Sequence, residues 1–403
     1  MGVLTTTEGQ ANLPRYFGHV FQSLQNMAVG QLDIGLPDGR VFRVRTPGPG
    51  PEARFDVINP ALFSRILREG EIGFPEAFMG GWWTTPDLQA LLDVILLNND
   101  QIGTEMPGMG VVRLYERARH WLRSNSRAQA RRNISHHYDL GNDFYGMWLD
   151  GSMTYSSALF QDQNEPLETA QARKYASICD MIGAGPDGHI LEIGCGWGGF
   201  AEHAVLERGA RVTGLTLSRE QHDFARKRAF EAGIAERVDI VLRDYRDENG
   251  TYDGIASIEM FEAVGEKYWP QYFSNLNQRL KPGARAGLQI ITVSDHLFAN
   301  YRKGVDFIQK YIFPGGMLPS VSALGDQIRM AGLAETDMIR FGQSYSETLR
   351  RWRRDFNAAW DGIEPLGFDA RFAKMWNFYL ASCAACFMAE TTDVIQIGLR
   401  HET

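Results

Sequence analysis

The sequence predicts an α/β protein whose main body is a doubly wound, Rossmann-like parallel sheet, preceded by a small mixed α+β unit. Three observations carry this. From Gly188 onward, apolar runs of strand length alternate with helix-length segments, which implies a parallel sheet covered on both faces and ligands at the carboxyl ends of its strands. The run His189 to Ile193 enters a glycine turn, Leu191-Glu192-Ile193-Gly194-Cys195-Gly196-Trp197-Gly198-Gly199, that opens a helix. Ahead of residue 105 the pattern is mixed rather than alternating. A chain of 403 residues with 44% hydrophobic content can bury a full core and is long enough for two domains. The expected boundaries are 1–105 for the first domain, 106–132 for a linker helix and 133–403 for the second domain.

In the first unit, Gln31 to Leu36 and Val41 to Arg45 read as strands, with Pro37-Asp38-Gly39 supplying the turn of a hairpin. Thr46-Pro47-Gly48-Pro49-Gly50-Pro51 reads as loop. Pro60 to Arg68 and Asp87 to Leu97 read as helices. The piece between them holds Phe74, Phe78, Met79, Trp82 and Trp83 beside Gly80-Gly81, and reads as core packing ahead of a lipid-contact surface. Leu88 to Leu97 is the most apolar run, is interrupted by Asp93, and falls short of the roughly 18 residues a spanning helix needs. Met1 to Gln10 shows no basic region followed by an apolar run, so no signal peptide is expected.

Between Arg113 and Arg132 the chain sets Arg113, Arg117, Arg119, Arg123, Arg127, Arg131 and Arg132 against a single acid, Glu116. On a helix Arg119, Arg123, Arg127 and Arg131 form one stripe, either a solvated linker face or a surface for anionic headgroups. In the second unit helices are expected over Phe200 to Arg208 and Arg219 to Ala232. Strands are expected over Arg211 to Leu215, Val238 to Leu242, Tyr252 to Ile258 and Arg285 to Val293.

A formal net charge of −8 argues against a nucleic-acid binder, which needs a basic surface to displace phosphate counterions. Four cysteines without a regular framework suit a reducing compartment, and a cytoplasmic protein is expected. Cys383 and Cys386 form a single C-x-x-C inside an apolar helical run and read as packing, while His136-His137 lacks partners at metal-ligand spacing and reads as part of a lid or gate. No metal is expected.

The glycines at 194, 196 and 199 satisfy G-x-G-x-x-G, which alone suits any nucleotide fold. A dinucleotide site would want an acid at the end of the second strand. Leu215-Thr216-Leu217-Ser218 stands there instead, followed by Gln221, and Asp244-Tyr245-Arg246 ends the third strand. These residues favour S-adenosylmethionine over NAD. Glu259 reads as orienting the cofactor end of the sheet rather than doing chemistry.

NISHHYDLGNDFYGMWLDGSMTYSSALF from Asn133, LEIGCGWGGFA, GLTLSREQ, SIEMFEAVGEKYW, DFIQKYIFPGGMLPS and FYLASCAACF together resemble the cyclopropane-fatty-acyl-phospholipid synthase family, which includes mycolic-acid methyltransferases. The resemblance implies a class I S-adenosylmethionine-dependent methyltransferase acting on the double bond of an unsaturated phospholipid acyl chain, from one side of the membrane. It implies cofactor contacts at Tyr155, Ser156, Glu192, Gly194, Gly196, Gly198, Thr216, Gln221, Tyr245 and Arg246. It further implies an amino-terminal domain for dimerisation and lipid handling, and so a homodimer peripheral on the inner face.

That reaction passes through a carbocation, which aromatic faces stabilise, and Tyr301 to Phe313 and Trp352 to Trp360 are dense in rings. The helix-spaced Trp352, Phe356 and Trp360 read first as core. Ring closure needs a base, and the resemblance implies a bound bicarbonate cradled by Cys, Glu, His and Tyr. Glu262 and Tyr345 match that set, whereas Ser157 stands for the Cys and Gln289 for the His. Both replacements can hold an oxyanion, but Gln289 cannot take up a proton, so the set loses its one group titrating near neutrality. A cyclopropane and a methyl branch both remain open as products. Two rival readings are a methyltransferase of a small soluble acceptor and a noncatalytic lipid binder with a degenerate site.

Overall fold

The computed structural model describes residues 2–102 and 140–402, and within them the chain forms two sheets. The first has five strands in the order β1 (Val3–Leu4), β3 (Val41–Arg45), β2 (Val29–Gly35), β4 (Gly48–Val57) and β5 (Trp83–Thr84). The expected hairpin is β2–β3, closed where the Leu36 N–H donates to the Arg40 carbonyl at 2.8 Å.

Strand β4 corrects the reading of Thr46 to Pro51 as loop. Its glycines let two backbones nearly touch: a Cβ on Gly50 would lie 2.7 Å from the Gly30 nitrogen. The prolines are tolerated because the register slips between Val29 and Gln31, and because β5 pairs only with Asp56 and Val57, which leaves the start of β4 as an edge. The aromatic joining piece is core, with Trp83 buried and stacked on Phe74 at 4.3 Å.

The second sheet has seven strands in the order β11 (Leu333–Arg340), β12 (Thr392–His401), β10 (Leu280–Val293), β9 (Tyr252–Ile258), β6 (His189–Ile193), β7 (Arg211–Thr216) and β8 (Val238–Leu242). Strands β6 to β10 run parallel, and β12 is antiparallel to both β10 and β11. The order reverses between β6 and β9, so a crevice opens at the carboxyl ends of these two strands.

One hydrophobic core joins the first sheet to the helices Gly342–Ala358 and Ala370–Met388. The helix Leu88–Leu97, capped by the Asp87 carboxylate on the Gln89 and Ala90 N–H groups, packs on Ala370–Met388. Asp93, which interrupts the apolar run, is buried there: it accepts from Gln89 and pairs with Arg350 at 2.8 Å. The first sheet thus braces the two helices that carry Tyr345 and Tyr379.

The stripe of Arg119, Arg123, Arg127 and Arg131, and the pair His136-His137, lie outside the described residues. No helix among the described residues is long and apolar enough to cross a membrane.

Candidate active site

The crevice has two ends. At the first, Gly194 and Cys195 turn the chain off β6 by donating their N–H groups to the Leu215 carbonyl at 3.0 and 2.9 Å. Gly194 has φ 83°, and a Cβ there would lie 2.7 Å from Met260 Cγ, so neither the conformation nor the space admits a side chain. Gly196, with φ 50°, has open space where a Cβ would go, and Gly198 also has a positive φ and begins the helix Gly199–Arg208.

At the end of β7 the Thr216 hydroxyl donates to Gln221 Oε1 at 2.9 Å, which leaves the Gln221 amide N–H groups as donors. After β8, Asp244 grips Arg246 through both oxygens, at 2.8 and 2.6 Å, and the guanidinium faces the rings of Tyr245 and Tyr268 at 5.7 Å. Glu192 is 3% exposed and its Oε2 has no partner among the described residues. Burial pushes its pKa well up, against the pull of Lys174 and Arg228. An unpaired buried carboxylate beside an open glycine turn fits a ligand carrying positive charge, as S-adenosylmethionine does.

At the second end, residues from three separate stretches converge on one carboxylate, and it is not the one the motif indicated. Glu259 Oε1 accepts from the Ser157 backbone N–H and from Gln289 Nε2, both at 2.7 Å, and its Oε2 accepts from the Tyr345 hydroxyl at 2.6 Å. Glu259 is half-buried: the residue keeps some open surface, yet it lies deep enough that burial raises its pKa. Donation from Tyr345, the field of Lys174 and the Gln289 hydrogen bond pull the other way.

Gln289 is fully buried and cannot turn. Its Oε1 accepts from Gln396 Nε2 at 3.0 Å, a pairing set by the β10–β12 register in which Gln289 lies opposite Gln396. Around this hub Tyr345 stacks on Phe387 at 4.6 Å, Trp352 lies 5.2 Å from Tyr155, and the Tyr155 and Tyr379 hydroxyls meet at 2.8 Å. Trp352 is core, as its spacing implied, and also walls the site.

Ser157, Gln289 and Tyr345 are therefore brought together, but Ser157 contributes its backbone; its hydroxyl donates to the Ala158 carbonyl. Glu262 stands beside the hub. Its Oε1 accepts from the Ile291 N–H at 2.5 Å and its Oε2 is buried without a partner among the described residues. Burial, then the charge of Glu259, raises its pKa to about 8. The Ser156 hydroxyl accepts from Lys174 Nζ at 2.6 Å. Lys174 is fully buried, with its pKa lowered by burial to about 7.

Gln289 supplies no titrating group where the resemblance implies a His, but burial shifts Lys174 and Glu262 toward neutrality. Lys174 escaped the sequence reading, and Glu259, expected to orient the cofactor end of the sheet, is instead the acceptor of Ser157, Gln289 and Tyr345. The signals were a lysine on the apolar stripe Leu167, Ala170, Ile178, Met181 and a charge placed directly after an apolar strand.

A doubly wound sheet with a glycine turn, an unpaired acid on its first strand and no acid ending its second defines a class I S-adenosylmethionine-dependent methyltransferase. Residues 125–397 match the family model of mycolic acid cyclopropane synthetase, and the chain belongs to that family of lipid methyltransferases. It is 42% identical to a tuberculostearic acid methyltransferase of Mycobacterium tuberculosis, over 85% of this chain and 82% of that protein. To the cyclopropane-fatty-acyl-phospholipid synthase of Escherichia coli it is 33% identical, over 91% of this chain and 94% of the relative. Among solved structures, a mycolic acid cyclopropane synthase complexed with SAH and CTAB superimposes with a TM-score of 0.63 at 28% identity, covering 67% of this chain and 97% of that one.

Proposed function

We propose that the protein methylates a double bond in the acyl chain of a membrane phospholipid and releases a methyl-branched chain that keeps a double bond. Bound S-adenosylmethionine supplies an electrophilic methyl. Gly194, Gly196 and Gly198, with Glu192, Thr216, Gln221, Tyr245 and Arg246, hold it at the first end of the crevice, and Tyr155 and Ser156 close over it. The rings of Tyr155, Trp352 and Tyr345 face the acceptor, where each contributes about 0.5–2 kcal/mol to a developing cation.

The observation that carries the branched product is that the Gln289 amide and the Tyr345 hydroxyl, two of the groups expected to cradle a small anion, are closed on Glu259 together with the Ser157 backbone N–H. A ring needs a base that reaches the new methyl, whereas the carboxylate in the place the resemblance implies for bicarbonate is fixed by three hydrogen bonds and cannot move to that methyl as a dissolved ion can. The relationship to a methyltransferase named for a branched fatty acid supports the same reading. We place the enzyme on the cytoplasmic face of the membrane as a homodimer, with residues 1–105 handling lipid and Arg119, Arg123, Arg127 and Arg131 docking on anionic headgroups.

The test is purified protein with S-adenosylmethionine and vesicles of a monounsaturated phosphatidylglycerol, read by mass spectrometry. The expected result is acyl chains heavier by one CH2 that still take up hydrogen on mild catalytic hydrogenation. Cofactor turnover that leaves the vesicle lipid unchanged and follows a soluble acceptor would overturn the proposal.

A further inference from the structure

The bicarbonate implied by the family resemblance does not fit this site. Of the positions expected to hold it, the Ser157 N–H, the Gln289 amide and the Tyr345 hydroxyl all donate to Glu259, and Glu262 is turned to the Ile291 N–H. A second anion there would meet the charge of Glu259 with its donors already engaged. Nor can the donors be reassigned easily, because Gln289 is buried and its orientation is held by Gln396, which also donates to the Lys174 carbonyl at 3.2 Å.

The backbone at Glu259 adds an independent observation. The residue has φ 49°, in the left-handed region that residues with a side chain rarely adopt. Its own N–H donates to the Gln289 carbonyl at 2.9 Å, so both main chain and side chain hold it against the end of β10. Strain of this kind persists where the surroundings over-determine it, and it concentrates at sites of chemistry.

We infer that Glu259 is the enzyme's own general base, its carboxylate standing where a dissolved bicarbonate would otherwise act and removing the proton that the methylated acyl cation must lose. The inference rests on the acyl-methylation reading above and deepens it. Transfer of the methyl forms a carbon–carbon bond, breaks the carbon–sulfur bond and leaves positive charge on the neighbouring acyl carbon. A C–H bond on a carbon next to that charge then breaks. Its electron pair becomes the new double bond and its proton goes to a Glu259 oxygen, so no oxidant or reductant is needed. Donation by Tyr345 and Gln289 keeps the carboxylate aimed, while burial makes it more basic than an exposed glutamate.

Three measurements test this together. Wild-type turnover on unsaturated vesicles in buffer purged of carbon dioxide should equal turnover with bicarbonate added. Glu259→Gln, which keeps the shape but cannot take a proton, should lose product formation by about 100-fold or more, with the S-adenosylmethionine Kd within about threefold of wild type. Glu259→Gly suits the left-handed backbone and empties the place. It should be inactive in purged buffer and recover at least tenfold, as judged against general-base contributions of about 10²–10⁴, when bicarbonate or formate is added. A wild type that stops when bicarbonate is removed, or a Glu259→Gln enzyme that keeps a third of wild-type turnover, would overturn the inference alone. A wild type that forms no methylated lipid would instead overturn the reading beneath it.

Discussion

The two ends of the crevice are built in opposite ways. At the cofactor end the glycine turn, Thr216 with Gln221, and Asp244 with Arg246 each lie within a few residues of one another, so short stretches of sequence determine their geometry. At the acceptor end Ser157, Glu259, Gln289, Tyr345 and Gln396 come from separate elements, and only the strand registers and the packing of Gly342–Ala358 bring them into contact. The acceptor end depends on the whole fold, including the five-stranded sheet that braces its helices.

Gly194→Val should break the cofactor end most severely. The new side chain would combine a left-handed backbone with a Cβ 2.7 Å from Met260 Cγ. A loss of about 2–4 kcal/mol in stability is expected, together with loss of S-adenosylmethionine binding, measured by urea unfolding and calorimetric titration. Tyr345→Phe should act on the acceptor end alone. Removing the donor to Glu259 Oε2 should lower kcat by about 10–100-fold while leaving the cofactor Kd within about twofold. If both quantities moved together, the two ends would not be separable.

Glu262→Gln sharpens the electrostatic side of the comparison. The native carboxyl has its pKa raised from 4.5 to about 8, so the fold binds a proton that the unfolded chain releases. Its contribution to stability is fully present below pH 4.5 and is lost as pH rises through about 8. The variant should therefore gain stability relative to wild type between pH 5 and pH 9, as read from urea midpoints at both values. A constant difference would place Glu262 in a less buried setting. Asp87→Ala, which removes the cap of Leu88–Leu97, should cost about 1 kcal/mol and change neither Kd nor kcat by more than about twofold.

The same contrast explains what the sequence disclosed. Strands β6 to β9, the glycine turn and the helices after β6 and β7 were legible because apolar period and turn chemistry are local signals. The hairpin β2–β3 was legible for the same reason. Strand β4 was not: Gly-Pro-Gly-Pro reads as loop until the neighbouring Gly30 shows why such backbones pair. Glu259 was given a different role because its partners Gln289, Tyr345 and Ser157 lie 30 to 102 residues away in the chain, and Lys174 was missed because no window of sequence reports its burial. Ser157 was identified as a position but for its hydroxyl, whereas its backbone N–H does the donating.

The most direct test is gas chromatography with mass spectrometry of total fatty acids from a host lacking its own synthase and expressing this protein, before and after mild hydrogenation. Closure of the donor set on Glu259 predicts a new branched species, one CH2 heavier than its precursor, that takes up two hydrogens and becomes a saturated methyl-branched ester. A new peak of the same mass that resists mild hydrogenation, and opens to branched isomers only under forcing conditions, would be a cyclopropane and would contradict it.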